Sequence, residues 1–160
     1  MVKISIVMGS ASDLPTVNEV IHVLRDFKIL FEVKVLSAHR TPKELAQYVE
    51  SAPQKGIKVF IAAAGMSAAL AGVIAAHTTL PVIGIPMETK NLKGLDSLLS
   101  TVQMPSGIPV ASMAIGKAGA MNAGLFAAEI LGITDNKIAK KLVAYKKAMR
   151  IKIKNTKIKL

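Results

Sequence analysis

Residues 59–87 read VFIAAAGMSAALAGVIAAHTTLPVIGIPM, and this stretch decides which kind of fold the chain adopts. It contains no Lys, Arg, Asp or Glu, and its length meets the usual criterion for a membrane-spanning helix. Glycine and proline residues nevertheless interrupt it repeatedly. The pattern therefore predicts a strand (VFIAA), a helix of small residues (SAALAGVIAAH) and a second strand (PVIGIP). Continuous apolar strands of this kind are typical of a buried parallel sheet, so we predict no membrane span.

The same pattern of a short β-branched run, a turn with small polar residues and a helix recurs along the chain. Five strands that alternate with helices predict an α/β fold with a doubly wound parallel sheet of flavodoxin or Rossmann type. The predicted strands are residues 3–8, 31–36, 58–63, 82–85 and 110–115. The predicted helices begin near Ser12 or Asp13, at Thr41, near Ser67, near Leu95, near Ala118 and near Asp135, and the last one ends near Met149.

The size and composition of the chain limit its class. Its 160 residues, 51% of them apolar, predict one domain with a single core. We assign this domain to residues 1–150, including a C-terminal helix, and a basic tail to residues 151–160. The absence of cysteine excludes disulfides, thiolate catalysis and zinc–cysteine sites. The first residues, MVKISIVMGS, show no cleavable leader, so we predict a cytoplasmic protein.

The net charge of +11 is concentrated at the C-terminal end. Residues 137–160 hold ten Lys and Arg and no acidic residue, whereas the rest of the chain is close to neutral. Nucleic-acid readers usually combine basic residues with aromatic residues or a reading motif, and this segment offers only Tyr145. We therefore predict a solvated helix with a basic tail and no nucleic-acid partner. Binding of a polyanion is the alternative.

Ligands of doubly wound folds bind beyond the carboxyl ends of the strands, which directs attention to the turns after the first three strands. The first turn reads Gly9-Ser10-Ala11-Ser12-Asp13. Ser10 and Ser12 offer hydroxyl and N–H groups at a helix start, which favours an anion, and Asp13 can accept hydrogen bonds from sugar hydroxyls. A simple helix cap at Ser12 or Asp13 is an equally good interpretation.

The second turn contains the sequence Ser37-Ala38-His39-Arg40, followed by Thr41-Pro42. Thr41 and Glu44 form a capping-box pattern with a proline at the first helical position, which predicts a helix start at Thr41. His39 and Arg40 then lie in the turn itself. Arginine makes bidentate contacts to phosphate, and histidine is the side chain best suited to shuttle protons near neutral pH. A loop histidine beside a solvated arginine is the alternative.

The third turn, Ala64-Gly65-Met66-Ser67, brings bare backbone towards the space between the first two turns. Small residues there allow a flat ligand to lie against the main chain, although close packing of a helix on a strand would need them equally. No carboxylate pairs with a histidine at ligand spacing, so we predict no metal site. Neither a dinucleotide-binding GxGxxG nor a Walker phosphate loop is present. The three turns together suit a small phosphorylated metabolite and acid–base chemistry.

Five motifs give the chain a resemblance to a known family over nearly its whole length. In order they are VMGSASD, SAHRTP, LPVIGIP, GLDSLLSTVQMPSGIPVA and AIGKAGAMNAG. In this order and spacing they resemble the bacterial PurE family, whose class I members are N5-carboxyaminoimidazole ribonucleotide mutases of de novo purine synthesis. The resemblance implies an isomerase with a three-layer α/β/α sandwich, assembled as a homo-octamer, with no cofactor and with a functional link to an N5-carboxyaminoimidazole ribonucleotide synthetase.

The resemblance also implies roles for the residues of the three turns. Ser10, Ser12 and Asp13 match the residues that hold the ribose 5′-phosphate and the sugar, and Arg40 matches a phosphate-binding arginine. His39 matches the catalytic histidine. It would protonate N5 as CO2 leaves, giving aminoimidazole ribonucleotide (AIR), and would take the C4 proton after CO2 adds there. The implied lining of the base pocket and the loop over the migrating carboxylate are Ser37, Ala38, Ala64, Gly65, Met66 and Ser67.

The third turn departs from the pattern of many class I members, which carry a histidine in this loop. Ala69 stands at that position here, and Met66 stands at a glycine position. Class II members, which carboxylate AIR directly with CO2, also lack the histidine, so they are the first alternative. Arg40 and Met66 argue against it, because class II members usually carry lysine and arginine at these places. A non-enzymatic module that binds a phosphorylated metabolite is the second alternative.

Overall fold

The computed structural model describes residues 1–158 and contains one five-stranded sheet. The strand order is β2-β1-β3-β4-β5, and every neighbouring pair is parallel. This confirms the predicted doubly wound α/β fold. The last two residues of the predicted basic tail lie outside the described part of the chain. The strands are β1 (Ile4–Met8), β2 (Phe31–Val35), β3 (Val59–Ala64), β4 (Val82–Pro86) and β5 (Ala111–Ser112).

Six helices cover the two faces of the sheet and give the three layers. Helices α1 and α5 share one apolar core with the sheet, and α6 packs on α5. Helices α2 and α3 share the second core, and α4 lies on β4 next to α3. None of the described helices is both long and apolar enough to cross a membrane. The helices are α1 (Leu14–Asp26), α2 (Pro42–Ser51), α3 (Leu70–Ala76), α4 (Leu95–Val102), α5 (Gly116–Gly132) and α6 (Asn136–Lys154).

The three central strands are buried over their whole length, which explains why they are continuous apolar runs. Successive side chains alternate between the two cores, so Ile6 faces α1 and α5 while Val7 faces α2 and α3. The buried Ser5 is the exception on β1. Its hydroxyl is hydrogen-bonded to the Tyr48 hydroxyl, which in turn donates to Glu32 Oε1 at 2.5 Å. This network ties α2 to β1 and to the edge strand β2.

Glycines allow two helices to approach their neighbours closely. A Cβ atom at Gly124 of α5 would lie 2.9 Å from Val23 Cβ of α1, and a Cβ atom at Gly84 of β4 would lie 2.3 Å from Thr101 Cγ2 of α4. The close approach of α4 leaves room for only small side chains beneath it. Ser97 and Thr101 fill that space, and both are buried.

Three boundaries differ from the sequence prediction by three residues or more. Strand β5 has two residues rather than six, and α3 begins at Leu70 rather than near Ser67. Helix α6 continues to Lys154, beyond the predicted end near Met149, because no glycine or proline stops it and lysine and isoleucine are tolerated in helices. The helix therefore crosses the division that we place between residues 150 and 151, and that division stays a prediction.

We expect Gly84→Ala to destabilise the fold by about 1–3 kcal/mol, because the new methyl group would overlap the γ-methyl of Thr101. The measurement is the free energy of unfolding in urea. Combining it with Thr101→Ser should recover part of the loss, since serine lacks the γ-methyl but can keep the hydrogen bond from Thr101 Oγ1 to Ser97 O. Thr101→Ser alone is the control. If Gly84→Ala costs as much stability in the Thr101→Ser background as in the wild type, the overlap with the γ-methyl is not the cause.

Candidate active site

A cleft of about 670 Å³ lies at the carboxyl edge of the sheet, where the winding of the chain reverses between β1 and β3. Its volume is within the range of small-ligand sites. The turns after β1, β2 and β3 line it, as predicted, and the turn after β4 forms a fourth wall. All the predicted site residues line this cleft, namely Ser10, Ser12, Asp13, Ser37, Ala38, His39, Arg40, Ala64, Gly65, Met66 and Ser67.

The first turn forms a short 3-10 helix at Ala11–Asp13, and Ser10 is its cap. The Ser10 hydroxyl oxygen accepts hydrogen bonds from Ser12 N at 3.3 Å and from Ser12 Oγ at 2.8 Å. The two serines therefore hold each other in place at the mouth of the cleft. The structural role predicted for Ser12 or Asp13 belongs to Ser10.

Asp13 occupies the cap position of α1, but its side chain makes no capping hydrogen bond. The interpretation of Asp13 as a simple helix cap is therefore wrong. Its side chain lines the cleft instead. Burial raises the pKa of the Asp13 carboxyl above its usual range. The backbone N–H of Ser10 and the guanidinium of Arg40 act in the opposite direction and lower the pKa, but burial is the larger effect.

The second turn is closed by Thr41, and the predicted capping box is absent. Thr41 is the cap residue of α2 as expected, but its hydroxyl makes no capping bond. It accepts from Ser37 N at 2.8 Å and lies 3.2 Å from Ser37 O, to which it donates. The Thr41 N–H also donates to Ser37 O, at 3.0 Å, and is therefore not bonded to Glu44. The threonine thus fixes the turn that precedes the helix.

Arg40 links the second turn to the first. Its Nη2 atom donates to the carbonyl oxygen of Gly9 at 2.6 Å, and its Nε donates to Ser37 Oγ at 3.4 Å. The guanidinium is therefore held beside the Ser10 turn, where it can meet an anion without first losing its rotational freedom. A Cβ atom at Gly9 would come no closer than 4.0 Å to any neighbour, so steric crowding within the protein does not require that glycine.

His39 is exposed at the lip of the cleft, in the turn that follows β2 and next to Arg40. Within residues 1–158, its ring nitrogens make no hydrogen bond. Both nitrogens are therefore accessible to a ligand. This placement fits a proton-transfer group better than a structural histidine, because a structural histidine would be held by a partner.

The third turn contains a strained backbone. Met66 has a φ of 60°, in the left-handed region that favours glycine, and its side chain is 71% exposed. Such a conformation costs about 1–2 kcal/mol for a residue with a Cβ atom. The Met66 carbonyl accepts a hydrogen bond from Ser100 Oγ at 3.4 Å. The turn delays the start of α3, and Ala69 at the cap position offers no capping side chain.

The fourth turn, Met87 to Lys90, was missed by the sequence analysis, although the rule that indicated the first three turns applies equally to β4. Met87 is buried and contributes apolar surface, while Glu88 and Lys90 are exposed charges. Thr89 fixes the turn. Its hydroxyl donates to Asp96 Oδ1 at 2.8 Å and accepts from Gly94 N at 3.1 Å.

A larger groove of about 830 Å³ lies at the amino edge of the sheet, around the ends of α2 and α3. Its polar side chains include His77 and Glu50, and His77 Nδ1 lies 3.0 Å from Glu50 Oε1. Because these two groups are paired with each other, the groove offers fewer free polar groups than the carboxyl-edge cleft. The smaller cleft is therefore the better candidate active site.

A search of the described residues finds no cluster of three or more metal-ligating side chains. The polar groups of the cleft are one imidazole, one guanidinium, one ammonium group, hydroxyls and carboxylates. Together with the helix starts, these groups can bind an anionic ligand and move protons.

The chain is similar to known proteins over most of its length. The sequence model of the AIR carboxylase family matches residues 3–152. An N5-carboxyaminoimidazole ribonucleotide mutase of Vibrio parahaemolyticus is 54% identical over 144 residues, 90% of this chain and 89% of that protein. A protein of the same name from Saccharolobus solfataricus is 48% identical over 158 residues, 99% of each chain. The crystal structure of Treponema denticola PurE has a TM-score of 0.85 at 28% identity, covering 94% of this chain and 92% of that one.

We expect Asp13→Asn to stabilise the fold at pH 7, by less than about 1 kcal/mol because the carboxyl is only half-buried. The raised pKa of Asp13 means that ionisation favours the unfolded state, so the ionised carboxylate destabilises the fold at neutral pH. As the pH falls through the folded and then the unfolded pKa, both states become protonated and the gain should disappear. Thermal unfolding between pH 7 and pH 3 measures this.

The exposed Glu44→Gln on α2 is the matched control for this prediction, because it removes a surface carboxylate outside the cleft. An Asp13→Asn variant that is less stable than the wild type at pH 7, or whose gain grows as the pH falls, would contradict the sign of the argument.

Proposed function

This chain belongs to the AIR carboxylase family, and from this premise we propose that it is an N5-carboxyaminoimidazole ribonucleotide mutase, an isomerase of purine synthesis. Relatives with that name cover nine tenths or more of the chain. The observation that carries the assignment is the convergence of His39, Arg40 and the Ser10 turn in one cleft at the winding reversal. A phosphorylated heterocycle that exchanges protons needs an anion site and a proton-transfer group in the same cleft.

The polar wall of the cleft supports one orientation of the substrate. We place the 5′-phosphate between the Ser10 and Ser12 hydroxyls and the guanidinium of Arg40, which has N–H groups left beyond its bond to Gly9. The ribose then lies over Asp13, whose carboxylate can accept its hydroxyls. The imidazole ring extends from there towards the lip that carries His39.

The wall formed by Ala38, Ala64 and Gly65 has no large side chain to obstruct a flat ring. A Cβ atom at Gly65 would make ordinary van der Waals contacts, at 3.4 Å from Met87 Cβ and 3.6 Å from Thr89 Cγ2, so Gly65 faces Met87 and Thr89 of the fourth turn. Ser37 supports this wall indirectly, since its hydroxyl accepts hydrogen bonds from Arg40 N at 3.1 Å and from Nε. Ser67 lies at the open side of the third turn, where its hydroxyl is available to the migrating carboxylate.

The proposed reaction moves one carboxylate without a cofactor. His39 protonates N5 as the N5–carboxylate bond breaks, which gives AIR and CO2. CO2 then forms a bond to C4, and the neutral imidazole removes the C4 proton. The proton donated in the first step is recovered in the last, so the protein is unchanged and only isomerisation results. Holding CO2 beside AIR makes the second step effectively unimolecular.

The names of the relatives favour the mutase over direct carboxylation of AIR by CO2. Ala69 occupies the place of the histidine found in many class I members. Because alanine replaces that histidine here, the proposed reaction proceeds without a second imidazole. His39 is the one histidine that lines the cleft. The decisive comparison offers the purified protein the N5-carboxylated substrate in one reaction, and AIR with bicarbonate in another. Turnover in the second reaction alone would support class II, and turnover in neither would contradict both.

We expect His39→Asn to lower kcat by about 10²–10⁴-fold, because the amide cannot exchange a proton with N5 or C4. Binding of the C4-carboxylated product, measured by calorimetry, should change little, since asparagine leaves the phosphate contacts intact. His22→Asn, on the exposed side of α1, is the control and should behave as the wild type. Full activity of His39→Asn would contradict the proton-transfer role of His39, whereas ligand binding without any turnover by the wild type would favour a non-enzymatic metabolite-binding module.

We also propose that the protein assembles as a homo-octamer, and α4 supports this part of the proposal. The amphipathic pattern of α4 is reversed. Its small polar residues face the sheet, and its large apolar residues face outward. Leu95, Leu99 and Val102 lie on one exposed stripe and are 53%, 47% and 49% exposed. An apolar stripe of this kind commonly marks a protein–protein contact.

One functional link and the cellular location belong to the same proposal. A synthetase must form the N5-carboxylated substrate that this enzyme consumes, so we expect a functional link to an N5-carboxyaminoimidazole ribonucleotide synthetase. Phosphorylated intermediates do not cross membranes readily, which supports a cytoplasmic location. The absence of a nucleic-acid partner stays a prediction, and binding of a polyanion by residues 137–160 is its alternative, tested by salt-dependent retention on nucleic acid.

We expect the double variant Leu95→Lys with Leu99→Lys to dissociate the assembly, since charge repulsion would replace apolar contact. Light scattering after size exclusion should give eight times the 16.9 kDa chain mass for the wild type and a smaller mass for the variant. Leu30→Lys is the control, because Leu30 is equally exposed but lies before β2, away from α4. A monomeric wild type, or a variant of unchanged mass, would contradict the proposal for α4.

A further inference from the structure

Met66 combines two unfavourable features at the mouth of the cleft. Its backbone occupies the left-handed region, and its apolar side chain is 71% exposed to water. Within residues 1–158, Met66 belongs to neither apolar core, and only its carbonyl is hydrogen-bonded, to Ser100. Strain of this kind at a functional site is commonly maintained because it serves the site.

The neighbours of Met66 show what its side chain can contribute. The wall of the cleft on the β3 side is built from Ala64, Gly65 and Ala68, which carry at most a methyl group. Leu70 and Met87 line the deeper part of the cleft and are buried. Met66 is therefore the long apolar side chain at the open end of a short apolar wall, opposite the polar wall that carries Arg40.

We propose that Met66 is the hydrophobic cap of the cleft, whose side chain covers the bound heterocycle and keeps the released CO2 beside it. This inference rests on the proposed mutase function. The unbranched thioether of methionine adapts its shape to an irregular surface more easily than a branched side chain does. Apolar cover suits CO2, which has no charge to be solvated, and it displaces the water that would otherwise enter.

The cap decides between two outcomes of the same first step. After the N5–carboxylate bond breaks, retained CO2 bonds to C4 and the net reaction is isomerisation. Escaping CO2 is hydrated to bicarbonate and a proton, AIR is left behind, and the net reaction is decarboxylation. Met66 is thus a positioning residue that determines how faithfully the carboxylate is transferred, while His39 performs the proton transfers.

The test follows the carbon atom of the carboxylate. C4-carboxylated product labelled with 13C in that group is incubated with enzyme in buffer that contains unlabelled bicarbonate. Every passage through AIR and CO2 exposes the label to exchange with the solution. Mass spectrometry of the recovered product gives the label lost per turnover. The His39→Asn variant supplies the background from spontaneous decarboxylation and exchange.

Three substitutions distinguish the effect of the apolar side chain of Met66 from the effect of its strained backbone. Met66→Gly removes the side chain and relieves the strain, so it should fold at least as stably as the wild type and lose label several-fold faster per turnover. Met66→Gln keeps the length but is polar, so it should also lose label faster. Met66→Leu keeps the apolar cover and should retain label almost as well as the wild type.

The two proposals fail in different ways. Wild-type protein that does not interconvert the two carboxylated isomers would overturn the mutase function itself. Wild-type interconversion with equal label retention by Met66→Gly and the wild type would overturn only the role of Met66. Thermal unfolding of each variant in the same buffer confirms that any leakage comes from a folded protein.

Discussion

The chain passes from β1 outward to β2 and then returns across β1 to β3, so the winding reverses beside β1. Helix α1 leaves the carboxyl end of β1 towards one face of the sheet, and α3 leaves β3 towards the other. The two turns diverge at this point and leave a crevice that no helix covers. The turns after β2 and β4 flank it. The candidate active site depends on this divergence, because it brings together residues that are far apart in sequence.

The polar wall is organised by hydrogen bonds within the protein before any ligand is present. Ser10 holds Ser12, Thr41 holds Ser37, and Arg40 spans the gap to the Gly9 carbonyl. A ligand that meets a fixed guanidinium and fixed hydroxyls loses less free energy to ordering on binding. The Asp13 carboxylate shows the opposing constraint, since its partial burial favours the neutral form while the site benefits from an acceptor. Stability and binding are therefore in tension at that residue.

The sequence predicted the central strands and the turns because both are local signals: continuous apolar runs, and small polar residues that follow them. The features that the sequence did not predict depend on contacts between residues that are far apart in the chain. The Thr41 capping pattern is compatible with two hydrogen-bond arrangements, and the position of Ser37 selects the other one. The polarity of α4 is inverted because Gly84 lets the helix approach so closely that only Ser97 and Thr101 fit beneath it. The left-handed backbone at Met66 has no local signal, since methionine does not favour it.

The absence of cysteine removes thiol chemistry from this protein, but the exposed thioether of Met66 is still open to oxidation. Its sulfur is far more accessible than that of the buried Met87 or Met8, so peroxide will reach it first among the methionines of the cleft and its floor. Oxidation would convert an apolar thioether into a polar sulfoxide at the mouth of the site, and a sulfoxide reductase could reverse the change. If Met66 retains the released CO2 as proposed, oxidation of its sulfur would lower the fidelity of carboxylate transfer even though the chain contains no cysteine.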